Sequence, residues 1–227
     1  FNLSTGEDTM IQENGGTWLA LSPDETKLAY IHGWDGNVIL LDIENQMDQI
    51  ISLPSITDVY GLVDTTDHVL WSPDGKSILF IRKNQGKDHL YIMSTLGKAE
   101  RKFCETNWDG IGWCMDLSNN GSFLAVSARD SVQNPYKIYL IFTDSFTIKE
   151  LTSPTDLSHN DEECAISPDN KKVAFVRFNA PYNGNIFVVP VTGGEPNQIT
   201  FYNSWIQGLE WTKDGKYIIF SSNHTGN

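Results

Sequence analysis

The sequence is poor in cysteine, and the spacing of its cysteines excludes the usual cysteine-based frameworks. Only Cys104, Cys114 and Cys164 occur in 227 residues. They form no CxxC pair and have no histidines at metal-ligand spacing, so a structural zinc site is not expected. An odd number cannot all pair within one chain. We therefore predict buried thiols rather than a disulfide framework.

Basic residues and long apolar runs are also scarce. The 16 Lys and Arg stand against 29 Asp and Glu, which gives a formal net charge of −13. This acidic field repels phosphate, so we expect no nucleic-acid partner, and a neutral, basic or cationic partner suits the charge better. Apolar runs such as Val38 to Leu41 are far shorter than the roughly 18 residues that span a bilayer, which predicts no membrane insertion.

An eleven-residue pattern recurs five times along the chain. The copies are LSPDETKLAYI from Leu21, WSPDGKSILFI from Trp71, LSNNGSFLAVS from Leu117, ISPDNKKVAFV from Ile166 and WTKDGKYIIFS from Trp211. Each begins with an apolar residue, continues with turn residues and ends in an apolar run, which predicts a hairpin corner followed by a strand. The Trp and aliphatic residues at the first position are interpreted as interchangeable apolar fillers.

The turn within each copy predicts a particular backbone shape. In Ser72-Pro73-Asp74-Gly75, proline suits the second position of a type I turn and glycine a following left-handed residue. Asn170 tolerates the left-handed position, whereas Glu25 predicts a strained or differently shaped turn. The third copy has neither the proline nor the aspartate, which predicts a weaker turn there.

A second apolar strand and a short polar-flanked strand follow each copy, so one period holds about four strands. No sustained helical stripe is present. Four strands in 45–50 residues are typical of a β-propeller blade, and the apolar runs 78–81 and 173–176 predict strands covered on both faces. We predict an all-β chain in which 1–227 form a single propeller of four-stranded antiparallel blades, five repeats being visible. Residues 1–8 are expected to complete the last blade.

These repeats resemble the WD40-like PD40 repeats of TolB-type β-propellers, above all in WSPDGKSILF and TKDGKYIIF. The resemblance raises a six-bladed ring with one blade missing from this chain as the alternative fold. It implies a bacterial, periplasmic or extracytoplasmic setting and a propeller that binds a protein partner. Propeller domains of prolyl-oligopeptidase-type peptidases carry similar repeats. The first residue is Phe1 and no signal-peptide layout follows, which we interpret as a piece of a longer protein.

No catalytic motif is recognisable, so we predict neither catalytic residues nor a cofactor. There is no Gly-x-Ser-x-Gly, His-Glu-x-x-His or phosphate-binding loop. Polar and aromatic residues do recur just before the innermost strand of successive repeats, where a propeller gathers its loops around one channel mouth. The candidate binding residues there are Asp67, His68, Asp109, His159, Asp161, Glu162 and Trp205. Trp34, in a Gly-rich loop, is the candidate interface residue.

Several functions fit these features. The first is a monomeric, non-enzymatic scaffold that binds a protein or peptide through its rim or channel mouth. The second is a substrate-gating propeller belonging to a prolyl-oligopeptidase-like peptidase. Carboxylates beside imidazoles and indoles also suit a divalent cation or a carbohydrate. The interpretation that requires no binding function is that the acids are solvated turn residues and the tryptophans pack between blades.

Overall fold

A computed structural model describes residues 16–32, 36–52, 66–84, 87–96, 100–154, 156 and 158–224. Strands and turns account for its regular structure, and no helix occurs in these ranges. The predicted closing segment 1–8 and the predicted interface residue Trp34 lie outside the described residues. The contacts divide the chain into two units, Phe1–Gln85 with Leu90–Phe103 and Gly86–His89 with Cys104–Asn227.

The first unit holds two four-stranded sheets in which the strands follow chain order. Blade 1 consists of β1 (Gly16–Leu21), β2 (Lys27–His32), β3 (Val38–Asp42) and β4 (Met47–Ser52). Blade 2 consists of β5 (Thr66–Trp71), β6 (Ser77–Asn84), β7 (Lys87–Ser94) and β8 (Arg101–Lys102), although the first residues of β7 belong to the second unit.

The second unit holds two further four-stranded sheets and a strand pair. Blade 3 consists of β9 (Gly110–Leu117), β10 (Phe123–Arg129), β11 (Lys137–Phe142) and β12 (Ile148–Glu150). Blade 4 consists of β13 (Asn160–Ile166), β14 (Lys172–Ala180), β15 (Asn183–Pro190) and β16 (Asn197–Gln198). Blade 5 is described as β17 (Ile206–Trp211) and β18 (Ile218–Ser222).

In each of the first four blades the second strand lies in the core. Residues 78–81 of β6 and 173–176 of β14 are at most 2% exposed, so both faces of these strands are covered, as their unbroken apolar runs predict. In β18 the exposure alternates instead, and Ile219 is 60% exposed. The antiparallel four-stranded sheets confirm the predicted all-β propeller class.

The repeated turn is stabilised by one hydrogen-bond pattern. The hydroxyl of Ser72 donates to the Asp74 carboxylate at 2.6 Å and accepts the backbone N–H of Ser77 at 2.9 Å. The same pair of bonds recurs at Ser22, Ser167 and Thr212. These bonds stabilise the ionised acids and lower their pKa, to about 2 for Asp24.

The third copy keeps this turn without proline or aspartate. The amide oxygen of Asn120 takes the place of the carboxylate and accepts the hydroxyl and the backbone N–H of Ser122. The backbone N–H of Asn119, where the motif has proline, donates to the side chain of Asn170 in blade 4 at 3.0 Å. The expected weakening is therefore offset, because the substituted residues supply replacement hydrogen bonds.

The first position of the repeat also carries polar contacts, which corrects its interpretation as a site for interchangeable apolar fillers. The Trp71 indole N–H donates to the carbonyl of Ala20 at 2.9 Å, and that of Trp211 donates to the carbonyl of Ala165 at 3.1 Å. At Ile166 the backbone N–H donates to the Asp116 carboxylate at 2.6 Å. Within each unit, these bonds join the innermost strand of one blade to that of the next.

Two of the three cysteines form a disulfide, so the prediction of three buried thiols is wrong for this pair. Cys114 in β9 and Cys164 in β13 are bonded, with a Cα–Cα distance of 5.4 Å. Their separation of 50 residues is close to one repeat, so adjacent blades place them side by side. Cys104 is a buried free thiol, and burial raises its pKa to about 11.

The disulfide predicts a defined count of reactive thiols. In denaturant, iodoacetamide should add one group per chain, on Cys104, because the other two sulfurs are bonded. After reduction it should add three. Mass spectrometry of the intact chain measures both numbers. Three adducts without reductant would exclude the disulfide.

The loop that this disulfide closes also predicts a stability effect. Closing a loop of about 50 residues is worth roughly 4 kcal/mol, so a C114A/C164A variant should melt roughly 8–16 °C lower. Dithiothreitol should lower the melting temperature of the wild-type chain similarly and leave that of the double variant unchanged. A reductant effect of equal size on both proteins would argue against this origin.

The left-handed turn residue predicts a stabilising substitution. Glu25 has a φ of 61°, close to the 67° of Gly75 at the equivalent position. A side chain in this region costs about 1–2 kcal/mol, part of which glycine's extra freedom in the unfolded chain offsets. Glu25→Gly should raise the free energy of unfolding by up to about 1 kcal/mol in urea titrations, whereas the reverse change Gly75→Glu should lower it. A loss of stability in Glu25→Gly would contradict the turn geometry.

Candidate functional site: an acidic and aromatic cavity in blades 4 and 5

The sequence-predicted residues of the first unit make separate contacts. His68 lies in β5 with a φ of 53°, and its ring stacks on Trp18 with centroids 3.7 Å apart. Asp67 is its neighbour in β5, paired with Ile81 in the sheet register, and its side chain lies outside the described part.

Asp109 and Asp161, in the second unit, are both engaged in ion pairs. Asp109 precedes β9 and its carboxylate lies 3.4 Å from Nζ of Lys87. Asp161 is completely buried and accepts two hydrogen bonds from the Arg177 guanidinium, at 2.7 and 2.8 Å. Because the two residues are register partners on β13 and β14, this pair holds the blade together. The Asp161 carboxylate is therefore occupied by a partner within the chain.

A cavity of about 560 Å³ opens beside β13. It brings together two of the predicted residues, Glu162 and Trp205. His159 lies immediately before the strand but is not part of the lining; its backbone N–H donates to the carbonyl of Asp156. The described residues that line it are Ser158, Asn160, Glu162, Glu163, Phe178, Ala180, Pro181, Tyr182, Trp205 and Gln207.

Two exposed aromatic side chains in the lining touch each other. The rings of Tyr182 and Trp205 meet edge to face with centroids 5.2 Å apart. The backbone of Trp205 is fixed by two hydrogen bonds to Asn223, whose amide oxygen accepts the Trp205 N–H at 2.9 Å. Both rings retain exposed surface, 67% for Tyr182 and 39% for Trp205. They offer a partner a preformed aromatic surface.

Tyr182 occupies an unusual backbone position. Pro181 and Tyr182 form the two-residue connection between β14 and β15, and Tyr182 has a φ of 62°. Proline followed by a positive φ is the pattern of a type II turn, where the second central residue is usually Gly or Asn. A bulky residue here costs backbone energy, so the position is better suited to presenting the ring than to stabilising the turn.

The acidic side of the cavity consists of Glu162 and Glu163, both half-buried. Glu163 sits in the β-bulge of β13 with a φ of 51°, and its carboxylate accepts the backbone N–H of Gly208 at 3.1 Å. The pKa of Glu162 is raised to about 7, mainly by burial and also by the neighbouring Glu163 charge, while Arg129 opposes the shift. Burial also raises the pKa of Glu163. The cavity thus holds two carboxylates that water solvates poorly.

Among the lining residues absent from the candidates read from the sequence, three carry an acidic or aromatic side chain. Glu163, Phe178 and Tyr182 all line the cavity with Glu162. Glu163 could have been found from its position three residues before its copy of the repeat motif. Trp18, His68 and Gly208 lie at the equivalent position of other copies, and all of them have a positive φ. Phe178 and Tyr182 belong to the next hairpin, and a pattern confined to the innermost strands does not reveal them.

The described residues also bear on the other predicted chemistries. In these ranges no group of three or more His, Cys, Asp or Glu side chains has the arrangement of a metal site. Among the same residues, no helix is long and apolar enough to cross a membrane.

Comparison with known proteins identifies the repeat. The sequence model of the family described as the TolB beta propeller domain, PD40, matches residues 71–227. No curated protein matches the sequence.

Solved structures with the same fold have low sequence identity to this chain. TolB from Acinetobacter baumannii is 18% identical with a TM-score of 0.71, over 95% of this chain and 51% of that one. Oligogalacturonate lyase from Vibrio parahaemolyticus is 12% identical with a TM-score of 0.67, over 92% and 59%. A puromycin-hydrolysing peptidase from Mycobacterium tuberculosis is 16% identical with a TM-score of 0.63, over 82% and 29%.

The chain spans about half the length of that TolB structure. Similarity at this level of identity extends to the fold alone, which occurs in binding proteins and enzymes alike. The family match, by contrast, covers more than half of the chain and coincides with four of the five repeats. This chain belongs to the TolB β-propeller family.

Proposed function

We propose that this chain is a binding module that recognises a protein or peptide segment through the cavity beside β13. The observation that carries the proposal is the cavity itself, in which the exposed rings of Tyr182 and Trp205 lie in one lining with Glu162 and Glu163. Binding hot spots are enriched in rigid aromatic residues set in pockets. A volume of about 560 Å³ suits a few side chains of a bound segment.

The proposed setting is bacterial and extracytoplasmic. The family resemblance suggests it, and the Cys114–Cys164 disulfide supports it independently, because disulfides persist in oxidising compartments. With Cys114 and Cys164 bonded, Cys104 is the remaining thiol, and it is buried.

Two of the other functions read from the sequence can be separated from this one. A substrate-gating propeller would be joined to a hydrolase domain, so a Gly-x-Ser-x-Gly motif in the flanking gene sequence would favour the peptidase. A carbohydrate partner would bind through neutral hydroxyls and contains no peptide chain. Binding of a sugar to this cavity without any peptide would therefore favour the carbohydrate function. The strained turn at Tyr182 fits all three functions, so it does not favour the peptidase or the carbohydrate function over peptide binding.

The aromatic lining predicts which substitutions abolish binding. Peptides selected from a random displayed library on the wild-type chain should bind at least about tenfold more weakly to Trp205→Ala and Tyr182→Asn, since hot-spot aromatics are worth more than about 1.4 kcal/mol. Tyr182→Asn also places a suitable residue at the left-handed position, so its melting temperature should not fall. Isothermal titration calorimetry and thermal melts measure the two effects.

The matched control is Tyr217→Ala, which removes an exposed tyrosine of the same unit that is outside the lining. It should bind the selected peptides like the wild type. Equal affinities in all four proteins, or a failure to select any peptide, would contradict the proposed function.

A further inference from the structure

We propose that the cavity beside β13 takes a basic side chain of the bound segment, with a guanidinium group held between the Tyr182 and Trp205 rings and the carboxylates of Glu162 and Glu163. This inference rests on the proposed function and names the chemistry that the partner must supply. It would make an arginine the recognition element of the segment.

The charge of the lining points to a cation. Its two ionisable acids are Glu162 and Glu163, and none of its described members is basic. Glu163 is partly satisfied by the Gly208 N–H, whereas the described residues offer the Glu162 carboxylate no hydrogen bond and no ion pair within 4 Å. A half-buried carboxylate in this condition gains most from an added cationic donor.

The protein already binds its own guanidinium groups with the same set of partners. Arg177 is paired with the Asp161 carboxylate, and its guanidinium carbon lies 5.5 Å from the Phe175 ring centroid and 5.1 Å from that of Phe187. This arrangement combines one carboxylate with two aromatic rings, each within the roughly 6 Å at which a guanidinium interacts with a ring.

Blade 2 repeats this arrangement. Arg82 is paired with Glu100 and lies 5.3 and 5.7 Å from the ring centroids of Phe80 and Tyr91. The cavity provides carboxylates and aromatic rings of the same kind, and none of the described lining residues supplies the guanidinium that both internal sites contain. A guanidinium from the partner would complete the set.

The surroundings of Glu162 couple this binding to pH. The charged and titratable groups facing it are Glu163 and Asp161 on its own strand, Arg129 at the end of β10 and Tyr136 ahead of β11. The Arg129 guanidinium lies on the Tyr136 ring, 4.7 Å from its centroid. With a pKa of about 7, Glu162 is about one-tenth ionised at pH 6 and about nine-tenths at pH 8. Since the ionised form binds a cation, affinity should rise roughly tenfold between these pH values.

A pair of matched small ligands tests the inference. Nα-acetyl-arginine amide and Nα-acetyl-citrulline amide have the same shape, but citrulline carries a neutral urea in place of the guanidinium. In NMR titrations of the full chain at pH 8, the arginine ligand should shift the Trp205 indole resonance and bind about fivefold or more tightly than citrulline. Glu162→Gln should reduce this preference and remove the rise in affinity from pH 6 to pH 8.

Asp144→Asn is the control for net charge, because Asp144 is exposed, lies in the same unit and is outside the lining. This variant should keep both the preference for the arginine ligand over the citrulline ligand and the rise in affinity from pH 6 to pH 8. If the two ligands bind equally and Trp205→Ala weakens the binding of both, the proposal of a basic side chain is wrong while the cavity remains a binding site. If the arginine ligand leaves the Trp205 and Tyr182 resonances unshifted, this inference is overturned, and the peptide selection separately decides the proposed function.

Discussion

The need to cover the second strand of each of the first four blades governs this structure. Residues 78–81 of β6, 123–126 of β10 and 173–176 of β14 are apolar on both faces and almost fully buried, so a single sheet of this kind cannot be stable in water. Within each unit, neighbouring sheets cover such strands by packing together in shared apolar clusters, which is why one sequence pattern recurs along the chain. The exposed side chains of the innermost strands can therefore differ from blade to blade, because they are not part of this packing.

Equivalent positions on the innermost strands carry out different tasks. Three residues before the repeat motif, His68 stacks on Trp18, Cys114 forms a disulfide and Glu163 lines the cavity. The bulged, left-handed backbone at most of these positions turns the side chain away from the regular alternation of the strand. The fold thus provides a repeated position at which chemistry can change while the blade is preserved.

The repeat made the fold predictable, because turn chemistry and apolar runs depend on local sequence. The disulfide was missed because Cys114 and Cys164 are adjacent only once the blades pack, and no short spacing shows it. The site was predicted in part. Asp161 and Glu162 are neighbours, yet alternation in β13 sends one to Arg177 and the other to the cavity, and this depends on the strand register. Tyr182 was missed because its contact with Trp205 joins different blades.

The central claim is that the rings and carboxylates of one cavity together receive a cationic segment. Intermolecular nuclear Overhauser effects between bound Nα-acetyl-arginine amide and the full chain test it most directly. The account predicts contacts from the ligand δ-methylene protons to the ring protons of Trp205 and Tyr182. Contacts to an aromatic residue outside the lining, such as Tyr217, in place of these two would contradict it.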